Sequence, residues 1–208
     1  PDGERSMNTY LGVSADLAVS DIDEGLMADT RWLYLEGYRF DGFESQEAFR
    51  KAIAACRGAG GKVSITLSDP FCIERHRDLF RAMVRDEVDL LFANEHELVS
   101  LYQTATLEDA MDEARKEVEL VACTVGPAGA YVLQGERTVH APAAPMKRVD
   151  ATGAGDMFAA GFLYGLTRGR NLLTCGTMGC VAAGEIISHI GARPEENLKE
   201  LFDRFGLN

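Results

Sequence analysis

Val88-Asp89-Leu90-Leu91-Phe92-Ala93, followed at once by Asn94-Glu95-His96-Glu97 and a helical stretch to Tyr102, is the run that decides the fold. A short apolar run bounded by Asp86 and Asn94 suits a strand covered on both faces, as in a parallel sheet. Upstream, His76 to Arg85 has helical spacing, with Leu79, Phe80 and Met83 turned inward. Before it come the loop Ser68-Asp69-Pro70, a strand over Lys62 to Leu67, and the helix stop Gly58, Gly60 and Gly61. A helix from Ser45 to Arg57 gathers Ala48, Phe49, Ala52, Ile53 and Cys56 on one face. Trp32 to Glu36 reads as a strand ending in a carboxylate, with Ser20 to Asp23 as a helix N-terminus before it. Arg5 to Leu11 reads as a further strand after an Asp2-Gly3 turn. Downstream come a helix over Leu107 to Val118, a strand over Leu120 to Val125 and a turn over Gly126 to Gly129. A hairpin follows over Tyr131 to Ala141, then helices over Gly155 to Leu166, Leu172 to His189 and Glu195 to Phe205. Strand–helix repetition of this kind gives an α/β fold: a mostly parallel sheet with helices on both faces. Ligands of such sheets bind beyond the carboxyl ends of the strands. That selects Glu36-Gly37, Ser68-Asp69, Asn94 to Glu97, Gly126 to Gly129, and the segment before Gly155.

Composition narrows the class. The chain has 208 residues, 46% hydrophobic and 26% charged, which suits one globular α/β domain. No apolar stretch is long enough to span a membrane. The formal net charge of −12 argues against a nucleic-acid partner, because binding a phosphate backbone needs clustered Lys and Arg. The cysteines Cys56, Cys72, Cys123, Cys175 and Cys180 show neither metal nor redox spacing. Four read as buried thiols, and Cys72, in a loop-like stretch, is left open. A reducing, cytoplasmic setting is the expectation. The four histidines, His76, His96, His140 and His189, do not cluster at ligand spacing.

One segment carries chemistry. In Asp150-Ala151-Thr152-Gly153-Ala154-Gly155-Asp156-Met157-Phe158, a loop of small residues runs directly into an apolar helix. The first N–H groups of a helix lack partners and the dipole is positive there, so such a loop receives anions. Asp156 stands at the helix start beside that site. The pairing suits phosphoryl transfer: the amides of Gly153, Ala154 and Gly155 stabilise charge on the moving group while Asp156 accepts the proton of the attacking hydroxyl. Taken alone, Gly-x-Gly-Asp also suits a tight turn with Asp156 as a simple helix cap.

The run Asp150 to Leu163 resembles the C-terminal signature of the PfkB, or ribokinase-like, family of carbohydrate and nucleoside kinases. Asn94-Glu95-His96-Glu97 resembles that family's Asn-x-x-Glu motif, and Thr124 to Gly129 its Thr-x-Gly-x-x-Gly nucleotide-binding turn. Arg5 to Gly12, with the strand end Glu36-Gly37, is most similar to the adenosine-kinase-type branch. The resemblance implies a ribokinase-like three-layer α/β/α fold over residues 1–208, with residues 1–12 a remnant of the family's lid or its junction. It implies ATP and Mg²⁺ as cofactors, with Asp156 as general base and Gly153, Ala154 and Gly155 as the anion hole. Asn94 and Glu97 would hold Mg²⁺ and the phosphates, mostly through water; Thr124, Gly126 and Gly129 would shape the nucleotide pocket. Asp150 and Thr152 match part of a monovalent-cation (K⁺) site that the loop Gly191 to Pro194 would close, and Glu36 matches a substrate-contacting position. A homodimer through the lid is implied for the intact protein.

Two departures stand out. Ala151 occupies a position that many relatives fill with a hydroxylated residue. The family's N-terminal strands and most of its lid are missing, so the expectation is the C-terminal two thirds of a kinase. The favoured reading is a kinase transferring the γ-phosphoryl of ATP to a hydroxyl of a sugar or nucleoside, adenosine-like first. Ribose, fructose or a keto-deoxy sugar acid are competing acceptors. The alternative class is a non-catalytic nucleotide-binding or regulatory module of the same fold. P-loop, nucleophile-elbow and dinucleotide fingerprints are all missing from the chain.

Overall fold

The computed structural model describes residue 8 and residues 10–207. In chain order the helices and strands are α1 (Glu24–Ala28), β1 (Trp32–Glu36), α2 (Phe43–Gly58), β2 (Lys62–Thr66), α3 (Pro70–Glu87), β3 (Leu90–Asn94), α4 (Glu95–Tyr102) and α5 (Leu107–Glu117). Then come β4 (Leu120–Thr124), β5 (Ala130–Gln134), β6 (Arg137–Ala141), α6 (Ala154–Leu166), α7 (Leu172–Ile186) and α8 (Leu198–Arg204). The strands form one six-stranded sheet in the order β1-β2-β3-β4-β5-β6, and β1, β2 and β3 pair in parallel. This is the α/β fold expected. The strand expected over Arg5 to Leu11 and the turn before it fall largely outside the described residues; Asn8, Tyr10 and Leu11 carry no strand. No helix among the described residues is long and apolar enough to cross a membrane.

The chain divides into two compact units, one holding β1–β3 and α1–α5, the other β5, β6 and α6–α8, with the division falling inside β4. In the first unit, register sets Leu33 beside Val63 and Leu35 beside Ile65, and Ser64, Ile65 and Thr66 beside Leu90, Leu91 and Phe92. Leu90 and Leu91 are consecutive and both fully buried, so β3 is covered on both faces, as its unbroken apolar run requires. Each such side chain contributes about 1.5–3 kcal/mol by leaving water. The face of α2 lands as its spacing predicts, with Ala48, Phe49, Ala52, Ile53 and Cys56 buried. Helix α3 starts six residues before the expected His76, because Asp69 caps it by accepting from Cys72 N at 2.9 Å and Pro70 takes the first position. His76 sits at a kink (φ −128°, ψ 22°), so periodicity read across the helix lost its first turns. Phe80 and Met83 are buried as expected, whereas Leu79 is exposed. Cys72 is fully buried and its thiol donates to Gly37 O, so all five cysteines are buried.

The second unit is built on α6 and α7. A Cβ on Gly161 would lie 2.5 Å from the Met178 carbonyl oxygen, so only glycine permits this approach of the two helices. Met178, Val181 and Ala182 of α7 pack with Leu201 and Phe202 of α8. The two last helices are shorter than their periodicity suggested: α7 ends at Ile186 and α8 starts at Leu198.

Candidate active site

Helix α6 begins without a side-chain cap. Gly153 is its N-cap, in a left-handed conformation (φ 82°) that a side chain would strain. The first helical bond runs from Met157 N to Gly153 O at 3.0 Å. The Ala154 amide is turned back onto Ala151 O at 3.3 Å, so of the three amides expected to line an anion hole this one is engaged within the chain. The amides of Gly153, Gly155 and Asp156 have no acceptor among the described residues. Asp156, third residue of the helix, does not cap it, and its carboxylate makes no hydrogen bond or ion pair with any described residue. The side chain is open to solvent, yet surrounding chain desolvates it enough to raise its pKa above the ordinary carboxylate value. A free, desolvated carboxylate beside open amides is what a proton acceptor at an anion site requires.

Behind this helix start the loop is braced. Asp150 Oδ1 accepts from Thr152 N (3.0 Å) and Thr152 Oγ1 (2.7 Å), and its Oδ2 accepts from Gly191 N (3.4 Å). The structure therefore brings together Asp150, Thr152 and the start of the Gly191 to Pro194 loop. In front of it opens a cavity of about 430 Å³, the size of a small-molecule site. Thr124, Gly126 and Gly129 line it with Ala154, Gly155 and Phe158. Gly153 and Asp156 flank that lining. Sequence reading missed Arg148, Met146 and Ile187, which also line the cavity. Helix α7 supplies the wall at Cys180, Ala183 and Gly184.

In the other unit, Glu36, Asp69 and Asn94 stand at the carboxyl ends of β1, β2 and β3. Asn94 and Glu97 form a closed capping box. Asn94 Oδ1 accepts from Glu97 N at 2.9 Å, and Glu97 accepts from Asn94 N and from Asn94 Nδ2, both at 2.8 Å. Glu97 is 6% exposed, and burial pushes its carboxyl up to about 7, with nearby Asp69 adding to the rise. His96 points to solvent. Glu36 is exposed. Among the described residues no three His, Cys, Asp or Glu side chains gather as a direct metal cage. The hard oxygens of Asn94 and Glu97 suit Mg²⁺ held through water, and the pair retains unused lone pairs for that purpose.

A family model described as pfkB family carbohydrate kinase matches residues 1–198. The chain belongs to this family. Among solved structures, this pfkB-family chain is similar to a probable sugar kinase from Rhizobium etli, with 42% identity and a TM-score of 0.97 over 100% of this chain and 63% of that one. It is similar to the adenosine kinase from Sinorhizobium meliloti, with 38% identity and a TM-score of 0.95 over 98% of this chain and 63% of that one. It also shares its fold with a ribokinase II from E. coli solved with ATP and Mg²⁺, at 21% identity and a TM-score of 0.84 over 93% of this chain and 64% of that one. The chain thus spans less than two thirds of the length of each of these proteins.

Proposed function

We propose that this chain carries the phosphate-handling part of a kinase that transfers the γ-phosphoryl of ATP to a hydroxyl of a sugar or nucleoside, with an adenosine-like acceptor favoured. The observation that carries the reading is the unpartnered Asp156 carboxylate beside the open amides of Gly153, Gly155 and Asp156 at the start of α6. The acceptor's hydroxyl oxygen forms the new bond to the γ-phosphorus, the bond from that phosphorus to the β–γ bridging oxygen breaks, and the hydroxyl proton passes to Asp156. The desolvation that raises Asp156 makes it a better acceptor than a solvated Asp. Open amides already aimed at the transferring group need no rearrangement as charge develops there.

ATP belongs in the cavity of Thr124, Gly126 and Gly129, with its phosphates toward Gly155. Asn94 and Glu97 would hold Mg²⁺ through water, which would offset charge on the nucleotide phosphates. Asp150 and Thr152, with the carbonyls of the Gly191 to Pro194 loop, would hold K⁺. Glu36 is assigned to the acceptor. A cytoplasmic setting and a homodimer of the intact protein complete the reading.

Support for an adenosine-like acceptor comes from the 38% identity with an adenosine kinase; the 42% identity with a probable sugar kinase keeps sugars as the competitor. The full-length protein should be screened for ATP consumption across nucleosides and sugars, with Asp156→Asn as the control. Turnover that Asp156→Asn abolishes while nucleotide binding persists supports the proposal. Nucleotide binding without turnover on any acceptor would instead favour a regulatory module, and unchanged turnover in Asp156→Asn would remove the assigned base.

A further inference from the structure

A buried carboxylate outside the proposed chemistry stands behind the phosphate loop. Glu185, near the end of α7, is 2% exposed in a helix otherwise free of charge. Its Oε1 accepts from the backbone amides of Glu195 (2.8 Å) and Glu196 (3.0 Å), and His189 Nε2 lies 3.3 Å from the same oxygen. Its Oε2 is buried without a hydrogen-bond partner among the described residues. A carboxylate so placed is costly to bury, and two charge-assisted bonds to one loop are its compensation. The loop it grips is the one that touches the phosphate-binding segment. Gly191 N reaches Asp150 Oδ2, and Ala192 packs against Gly153 so closely that a methyl there would meet it at 3.3 Å. Two residues past Glu185, the Ile187 carbonyl takes the amides of Val149 (2.7 Å) and Asp150 (3.2 Å). The end of α7, the loop to Glu196 and the segment from Val149 to Gly153 are therefore joined by contiguous contacts.

We infer that Glu185 is a positioning residue for phosphoryl transfer: it anchors the loop from Ile190 to Glu196 and thereby fixes Asp150 and Gly153 under the open start of α6. This rests on the kinase reading above, with Glu185 acting through the loop and touching no reacting atom. Losing the anchor frees the loop and leaves two amides without their acceptor. The open amides then shift from the place where charge develops, while the base end of the cavity, at Thr124 and Gly126, keeps its walls.

The test uses the full-length protein with Glu185→Ala and Glu185→Gln. In Glu185→Ala, kcat should fall about 10- to 100-fold, as expected for misplacement of order 1 Å. KM for ATP should change less than about threefold. Amide hydrogen exchange should quicken both at 190–197 and at 150–156. Glu185→Gln keeps a carbonyl oxygen for the two amides and should restore most of kcat, which a requirement for the charge itself would not allow. Unchanged kcat in a folded Glu185→Ala protein, or a loss without faster exchange at 150–156, would overturn the inference. Should Glu185→Ala not fold, the wild type decides: protected Glu195 and Glu196 amides together with an active Glu185→Gln support the anchor, and unprotected amides overturn it. A wild type that phosphorylates no acceptor would defeat the kinase reading separately, and the exchange at 150–156 would still decide whether the anchor exists.

Discussion

Two helices, one in each compact unit, begin in opposite ways. Helix α4 is sealed: the Asn94 side chain takes the Glu97 amide, and Glu97 returns to the Asn94 backbone and side chain. Helix α6 is open: Gly153 offers no side chain, and three amides in its first turn stay without acceptors among the described residues. Their acids differ in the same sense. Glu97 is engaged on both oxygens and buried, while Asp156 is unpartnered and reachable. A helix start that has no internal partner for its donors has a place for an external anion. The contrast teaches that the Asn-x-x-Glu box spends its donors and acceptors on the fold, whereas the Gly-Ala-Gly-Asp start leaves its amides open, as the proposed phosphate site requires.

Substitutions can break this contrast. The largest effect is expected at the open end, where Asp156→Asn in the full-length protein should lower kcat by at least about 10³-fold, within the range of general-base catalysis. Nucleotide affinity, read by calorimetry, should stay within about threefold. At the sealed end the consequence is pH-dependent stability. Glu97 titrates near 7 in the fold against an ordinary 4.5, so folding favours its protonated form. Stability from this group is full below about 4.5 and is lost as pH rises through about 7, a swing of up to roughly 3 kcal/mol. Urea unfolding at pH 5 and pH 8 should show that loss in the wild type and a flattened dependence in Glu97→Gln.

Smaller effects sharpen the comparison. A methyl on Gly155 meets no atom within 4 Å, and Gly155 lines the cavity. Gly155→Ala should therefore leave the melting temperature equal or higher, by about 0.5–1 kcal/mol of stability, as for a helical glycine replaced by alanine. Turnover should nevertheless drop about tenfold or more, from displacement at the phosphates. Asn94→Ala should lower stability, by about 0.5–2 kcal/mol as a lost N-cap, read by urea unfolding.

Much of this contrast was legible in the chain itself. Trp32–Glu36 and Glu95–Tyr102 have the bounds that composition and spacing indicate, because a short apolar run and a polar cap are local signals. The Gly153 to Asp156 start was legible for the same reason. The start of α3 was not, since Pro70 ends a strand and opens a helix with equal ease, and the kink at His76 hid the earlier turns. Leu79, read as inward by spacing, faces outward. The cavity walls at Arg148, Met146 and Ile187 had no local mark, because closure joins segments far apart in sequence. Glu185 drew no reading from the sequence, because its partners lie ten and eleven residues further on, beyond any helical period.

The most direct test is amide NMR on ¹⁵N-labelled full-length protein titrated with ATP without divalent cation. The resonances of Gly153, Gly155 and Asp156 should move furthest, with those of Asn94 and Glu97 nearly still. Large shifts at Glu97 with the α6 start unmoved would mean that the phosphate lies elsewhere, and the account of an open helix start receiving it would be wrong.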